Sequence, residues 1–245
     1  MQASTTTNLT SFHITHWKAG SQWIKSIVRR LEPDRLATGP GVGFLGEEDV
    51  RAGSVHSPVY MHRAWFYRVA GDAADHRRVV VIRDLRDATV SWYFSIRHSH
   101  PRNAKVDEFR EKLGELPLED GLLLVLGEST RVMARIQSSW LAASEDERLL
   151  VRYEDLIDDT PLWMGRVLDR LGVNEDAAAR EAAIQAESFE AKTGRKRGQE
   201  DVSHHERKGV AGDWQNHFTP RLKDRFKENF GQLLIDTGYE TDLNW

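Results

Sequence analysis

The sequence predicts an α/β fold, a single domain over residues 11–245 with a central parallel sheet flanked by helices. Three observations carry that expectation. Strand-like runs alternate with segments of helical period along the chain. One run, Val79-Val80-Val81-Ile82, is β-branched throughout, as suits a strand buried on both faces. The length of 245 residues, 40% of them hydrophobic, suffices for one large core.

Taken in order, Ser11 to Thr15 (SFHIT) reads as the first strand. From Ser21, the residues Trp23, Ile24, Ile27, Val28 and Leu31 share one helical face until Pro33 stops the helix. Residues 34–58, Gly-rich from Gly39 to Gly53, read equally as a mobile loop that shapes a pocket or as a plain surface loop. Pro58 to Trp65 (PVYMHRAW) is a second candidate strand and Val79 to Ile82 a third. Asp87 is expected to cap a helix carrying Val90, Tyr93, Phe94 and Arg97, closed by Pro101. Helix dominates residues 105–143, and Leu149 to Tyr153 is a fourth strand. Helices near 161–171 and 176–189 follow, and the last third is helix and loop.

Composition narrows the function classes. With 34 basic against 38 acidic residues and a net charge of -4, no general polyanion-binding surface is expected, and nucleic acid is not an expected partner. There is no cysteine, which removes disulfides, thiolate nucleophiles and cysteine-ligated zinc, and fits a reducing compartment. Apolar runs such as Leu122 to Leu126 are too short for a membrane span. Residues 1–10 (MQASTTTNLT) have neither the basic nor the apolar region of a signal peptide, so they read as a flexible tail on a cytoplasmic protein.

In such sheets ligands collect beyond the carboxyl ends of the strands. The stretch HWKAGSQW, His16 to Trp23, fills the first strand-to-helix turn. Its glycine-bearing helix start offers unpaired N–H groups and the positive end of the dipole, and Lys18 adds a full charge. The phosphate loop G-x-x-x-x-G-K-[ST] is absent, because the lysine precedes the single glycine, which disfavours an ordinary ATP or GTP hydrolase. His62 follows the second candidate strand, Arg83 to Asp87 and Ser91 the third, and Tyr153-Glu154-Asp155 the fourth. Farther on, Arg207-Lys208-Gly209 joins two cations to a flexible backbone. A solvated loop lysine and an exposed basic loop are the plain alternatives for the first and last of these.

Three segments resemble the sulfotransferase family. KAGSQW is similar to its 5′-phosphosulfate loop, and VVVIRDLRDATVSWYF to its 3′-phosphate motif, in which an arginine precedes a serine by eight positions, here Arg83 and Ser91. RKGVAGDWQNHFT, from Arg207 to Thr219, resembles the family's R-K-G-x-x-G-D-W-K-N-H-F-T. The resemblance implies a P-loop-like nucleotide-binding core that binds 3′-phosphoadenosine 5′-phosphosulfate (PAPS) and moves its sulfuryl group to a small-molecule hydroxyl, releasing 3′,5′-ADP without a metal. Carried over by position, Lys18, Ala19, Gly20, Ser21, Gln22 and Trp23 hold the 5′ end, with Trp23 also against adenine. Arg83, Ser91, Arg207, Lys208 and Gly209 hold the 3′-phosphate, and Tyr153 and Ser188 lie near the base. His62, 21 residues before Arg83, takes the place of the family's catalytic histidine, with Lys18 and Ser91 as further catalytic candidates.

The departures are specific. Tyr60-Met61-His62 stands where the family has lysine-threonine-histidine, Ala19 and Gln22 replace small hydroxyl residues, and Glu206 replaces an apolar one. The cytosolic dimer segment K-x-x-x-T-V-x-x-x-E survives only as Gln215, Thr219, Pro220 and Asp224, leaving the oligomeric state open. An ATP-dependent kinase and a nucleotide-binding module without turnover remain the rival readings. The literal G-x-G-x-x-G at Gly41 to Gly46 lacks a preceding strand and a following helix. His204-His205 and His98-Ser99-His100 lack spaced partners for a metal. Trp65, Phe66, Trp92 and Trp140 read most simply as core, with lining of an acceptor site the alternative for the aromatic residues beside His62. Loops 34–58, 95–118 and 190–206 are expected to shape the acceptor pocket.

Overall fold

The computed structural model describes residues 9–37, 39 and 43–245. Most of the expected tail, residues 1–8, and Gly41 and Val42 of the rejected glycine motif lie outside the described residues. The strands are β1 (Thr10–Thr15), β2 (Leu36–Ala37), β3 (Val55–Val59), β4 (His76–Ile82) and β5 (Leu149–Arg152). The helices begin with α1 (Ser21–Leu31), α2 (Arg63–Ala70), α3 (Leu85–Phe94), α4 (Ala104–Leu113), α5 (Leu118–Val125) and α6 (Arg131–Leu141). They continue with α7 (Tyr153–Asp158), α8 (Thr160–Arg170), α9 (Ala177–Ala186), α10 (Phe189–Thr193) and α11 (Pro220–Asp236). None of the helices among the described residues is long and apolar enough to cross a membrane. The expected α/β fold with a parallel, helix-flanked sheet is the one found. Internal contacts divide it into two compact units, Met1–Ile82 with Ala142–Glu187, and Arg83–Leu141 with Ser188–Trp245.

The first unit holds the whole five-stranded sheet, in the order β2-β3-β1-β4-β5 with every pairing parallel. All six residues of β1 are buried, as befits the middle strand. On one face Phe12 stacks on His56 at 5.0 Å and meets Phe66 edge-on at 4.9 Å. On the other, Val79, Val81 and Val151 join Ile24, Ile27 and Val28 of α1 and Met164, Val167 and Leu168 of α8 in one apolar cluster. Each such side chain contributes about 1.5–3 kcal/mol by leaving water. The strand order turns at β1, whose connection leads toward β2 and β3 while β4 leads toward β5, so the switch point lies between β1 and β4.

His13 of β1 is fully buried, with Nδ1 2.8 Å from the Ser57 hydroxyl. Burial, which disfavours the charged ring, lowers its pKa from 6.5 to about 3. The folded value lies below the unfolded one, so the unfolded chain takes up the proton first. Stability is expected to fall by on the order of 1 kcal/mol per pH unit as pH drops from about 6.5 toward 3. Urea unfolding of wild type and His13→Gln across that range checks it, since the variant must lose that part of the slope.

Several expectations need correction. The segment PVYMHRAW is not one strand: β3 ends at Val59 and α2 starts at Arg63, because His62 caps that helix by accepting the Trp65 N–H. The expected loop 34–58 contains β2, a single tight turn at Glu47–Asp49 and most of β3. Residue 10, assigned to the tail, already pairs with His76 in the sheet. Trp65 is 38% exposed and not core, whereas Phe66 and Trp140 are fully buried.

The second unit is helical. Asp84, not Asp87, caps α3, its Oδ1 accepting the Arg86 N–H at 2.8 Å. The helix then runs on through a wider turn over Ser95–Ser99 before Pro101. Segments α4, α5 and α6 fill the expected helical stretch, and the buried hydroxyls of Thr89 and Thr130 join α3 to the turn before α6 at 2.8 Å. Helix α11 buries Leu222, Phe226, Phe230 and Leu234 along one stripe.

Candidate active site

In the first unit the turn after β1 is shaped by two residues with positive φ, Lys18 at 68° and Gly20 at 78°. For a lysine that conformation costs on the order of 1 kcal/mol, so the rest of the turn must hold it. At Gly20 space is also tight, because a Cβ would lie 3.0 Å from the Tyr153 ring, which would have to give way. Gly20 is the N-cap of α1 and supplies no side-chain acceptor, and no acidic residue occupies the first helical turn. The N–H groups and dipole at that end are therefore not offset locally by a carboxylate, which favours an anion there.

Ser21 opens the helix, nearly buried, and its Oγ accepts the Tyr60 hydroxyl at 2.8 Å. Burial raises the Tyr60 pKa, opposed by its hydrogen bonding with Ser21 and Gln22, so the phenol stays neutral. Ala19 is fully buried, so the hydroxyl lost there is lost from a packed position. Trp23 packs against the apolar cluster, and its indole N–H is buried without a hydrogen-bond partner among the described residues.

His62 sits just past β3, its Nδ1 accepting the Trp65 N–H at 3.3 Å. An accepting Nδ1 leaves the neutral ring's proton on Nε2. To take up a second proton at either nitrogen as a neutral base, the ring has to give up that capping bond or exchange tautomers. Ring contacts run from Trp17 to Tyr60 (6.1 Å), Tyr60 to Phe44 (6.5 Å), Phe44 to Trp65 (5.8 Å) and Trp65 to His62 (6.3 Å). Phe44 and Trp65 are the exposed members of that aromatic chain. The first unit thus brings Lys18, Gly20, Ser21, Tyr60 and Tyr153 to one turn and links His62 to it through aromatic rings.

The second unit gathers the other candidates. Arg83, 8% exposed, donates to the Val210 carbonyl at 3.3 Å and lies 3.8 Å from Asp87. The Asp87 carboxylate accepts the Gly212 and Trp214 N–H groups at 2.7 and 2.9 Å, tying the 207–214 segment to α3. Burial raises its pKa, and Arg83 and those two amides only partly offset this. Arg86 is held by Asp84 and Glu240 and sandwiched over Trp214 (3.9 Å) and Trp245 (4.4 Å), which makes it structural.

Asp213, buried, accepts from Arg207, from Lys208 Nζ at 2.5 Å, from Asn216 at 3.0 Å and from His217 at 3.2 Å. Burial alone would raise its pKa, but the bonds from His217, Lys208 and Arg207 outweigh that and hold it well below the usual carboxylate range. Arg207 also pairs with Glu200 and lies 4.5 Å over the Phe94 ring. Gly209 has φ 68°, and a Cβ there would meet the Phe189 ring at 2.7 Å. Ser188 spends its hydroxyl capping α10, accepting the Ala191 N–H at 3.2 Å. Ser91 lies half-buried on α3.

Sequence reasoning missed Asp213, Asp87 in its anchoring role, and the Tyr60–Ser21 bond. The first had a signal: a single acid lies among Arg207, Lys208 and His217 in a segment already singled out.

A family model described as "Sulfotransferase domain" matches residues 47–238. "Sulfotransferase 1E1" of Rattus norvegicus is 25% identical over 257 residues, covering 91% of this chain and 82% of that protein. The protein of the same name from Mus musculus is 24% identical over 174 residues, covering 65% of this chain, and the match spans 55% of that relative's length. Among solved structures, mouse sulfotransferase SULT7A1 complexed with PAP matches with a TM-score of 0.66 at 17% identity, covering 95% of this chain and 87% of that one. That likeness is one of fold.

Proposed function

The chain belongs to the sulfotransferase-domain family, and from that premise we propose that it transfers the sulfuryl group of PAPS directly, in line, to a hydroxyl of a small molecule. The acceptor oxygen forms its bond to sulfur as the bond from sulfur to the 5′-phosphate oxygen breaks, 3′,5′-ADP leaves and the hydroxyl proton passes to His62. One observation carries the reading: a strained, cationic turn at the carboxyl end of β1 that opens onto a helix N-terminus free of acidic residues.

In this reading Lys18 stabilises charge growing on the bridging oxygen, and the amides of Ala19 to Gln22 receive the 5′ end. Tyr60 supplies a neutral donor through Ser21 where the family carries a lysine. Trp23, Tyr153 and the Ser188 turn are assigned to adenine, and Arg83, Ser91, Arg207, Lys208 and Gly209 to the 3′-phosphate. The exposed rings of Phe44 and Trp65 beside His62 favour an acceptor with an apolar body. We assign the reaction to a domain of residues 10–245 in the cytoplasm.

Calorimetric titration with PAPS and ATP, followed by detection of 3′,5′-ADP with a hydroxyl-acceptor library, tests the proposal. Preference for PAPS and acceptor-dependent release are expected. Equal ATP binding, or no product across the library, overturns it. For His62→Asn, which retains a capping side chain, turnover is expected to fall by roughly 10²–10⁴-fold with stability nearly kept. His62→Ala is expected to lose the same activity and about 1 kcal/mol of stability in addition. Wild-type turnover in His62→Asn removes the histidine from the base role.

A further inference from the structure

At the amino ends of β4 and β5, away from the turn holding Lys18, the first unit contains a cleft of about 680 Å³. Arg77, one residue into β4, and Ile82 at its other end are separated by roughly 16 Å at 3.3 Å per residue, so this is the opposite end of the sheet. Four guanidiniums line the cleft: Arg77, Arg148 just before β5, and Arg166 and Arg170 from the last turns of α8. Two carboxylates, Glu145 and Asp169, share the lining, and Asp169 is already held by Arg180 at 2.6 Å.

That leaves four guanidiniums against two carboxylates in a concave, open place, a balance of charge that favours an anion. Arg148 is 7% exposed. Burial pulls both Arg148 and Arg170 below arginine's usual pKa, and at Arg170 the neighbouring Arg77 and Arg78 add to it. Arg170 donates through Nη2 to the Asp146 carbonyl at 2.7 Å, while its Nε is buried with no hydrogen-bond partner among the described residues. Trp163 gives the cleft an aromatic wall, with the Arg166 guanidinium 4.7 Å over its ring. A guanidinium fork matches the oxygens of phosphate and sulfate, and the volume falls in the range of small-ligand sites.

We infer that this arginine-lined cleft is a second anion site, one that takes a compact phosphate or sulfate ester separately from the turn after β1. The ring of Trp163 sets the preference for a ligand with a flat apolar part beside the anion. The site stands on these residues alone and does not depend on the proposed transfer reaction.

The test follows the ¹⁵N-labelled full chain by NMR at constant ionic strength, with 4-nitrophenyl phosphate, 4-nitrophenyl sulfate and chloride as separate titrants. Saturable shifts of the Leu149 and Leu150 amides and the Trp163 indole are expected with one or both oxyanions and not with chloride. The tighter titrant identifies phosphate or sulfate ester as the source. Arg166→Ala, on the exposed rim, is expected to weaken binding about tenfold or more while the rest of the spectrum is unchanged. Arg77→Ala is the second variant, should the first disturb α8. Shifts that fail to saturate, that chloride reproduces, or that persist with the same Kd in both variants overturn the inference.

Discussion

Alanine in place of Lys18 is expected to remove on the order of 3 kcal/mol of transition-state stabilisation, roughly a hundredfold in kcat/KM, the size associated with deleting one preorganised donor. The Lys18 backbone is held at a positive φ two residues ahead of the N-cap of α1, so the turn sets the point from which its side chain departs. Most of the loss is expected in kcat, because charge on the bridging oxygen grows only as the bond to sulfur breaks. Steady-state kinetics with a fixed acceptor measure it, and an unchanged kcat would remove Lys18 from the chemical step.

Asparagine in place of Asp213 is expected to destabilise the protein by about 3 kcal/mol at neutral pH, the cost of removing one partner from a buried ionic cluster. Arg207, Lys208 and His217 all converge on this carboxylate, which is 4% exposed, and its loss leaves the Arg207 and Lys208 charges facing one another, with Glu200 still on Arg207. The folded pKa is held below the ordinary 3.8, so the contribution is complete above that pH and disappears as pH falls through the lower folded value. Urea midpoints for wild type and Asp213→Asn should therefore differ most at neutral pH and converge only in strong acid. Identical midpoints at pH 7 would mean that Arg207 and Lys208 are placed by other contacts. Nucleotide affinity, measured in parallel, is expected to fall as the two cations lose their template.

What could be read in advance was local. The strand β1, helix α1 and the turn between them are contiguous, with clear periodicity, and the β-branched run of β4 needs no partner to be recognised. Strand β2 has two residues, too few for any pattern. Strand β3 reads Val55-His56-Ser57-Pro58-Val59, polar in sequence yet buried, because His56 stacks on Phe12 and Ser57 meets His13 from 44 residues away. The site divides the same way. Lys18 and Gly20 announce themselves within one turn, whereas Asp87 reaches Gly212 across 125 positions, and a short-range reading makes it a cap. Asp84, three residues earlier, holds that cap. Tyr60 reads as a missing lysine, and only folding brings its hydroxyl to Ser21, 39 residues away.

The left-handed backbone at Lys18 separates durability from usefulness at that position. Glycine there would relieve the backbone but free the unfolded chain by a similar amount and discard the cation, so the turn carries a conformational cost that only the lysine's charge justifies.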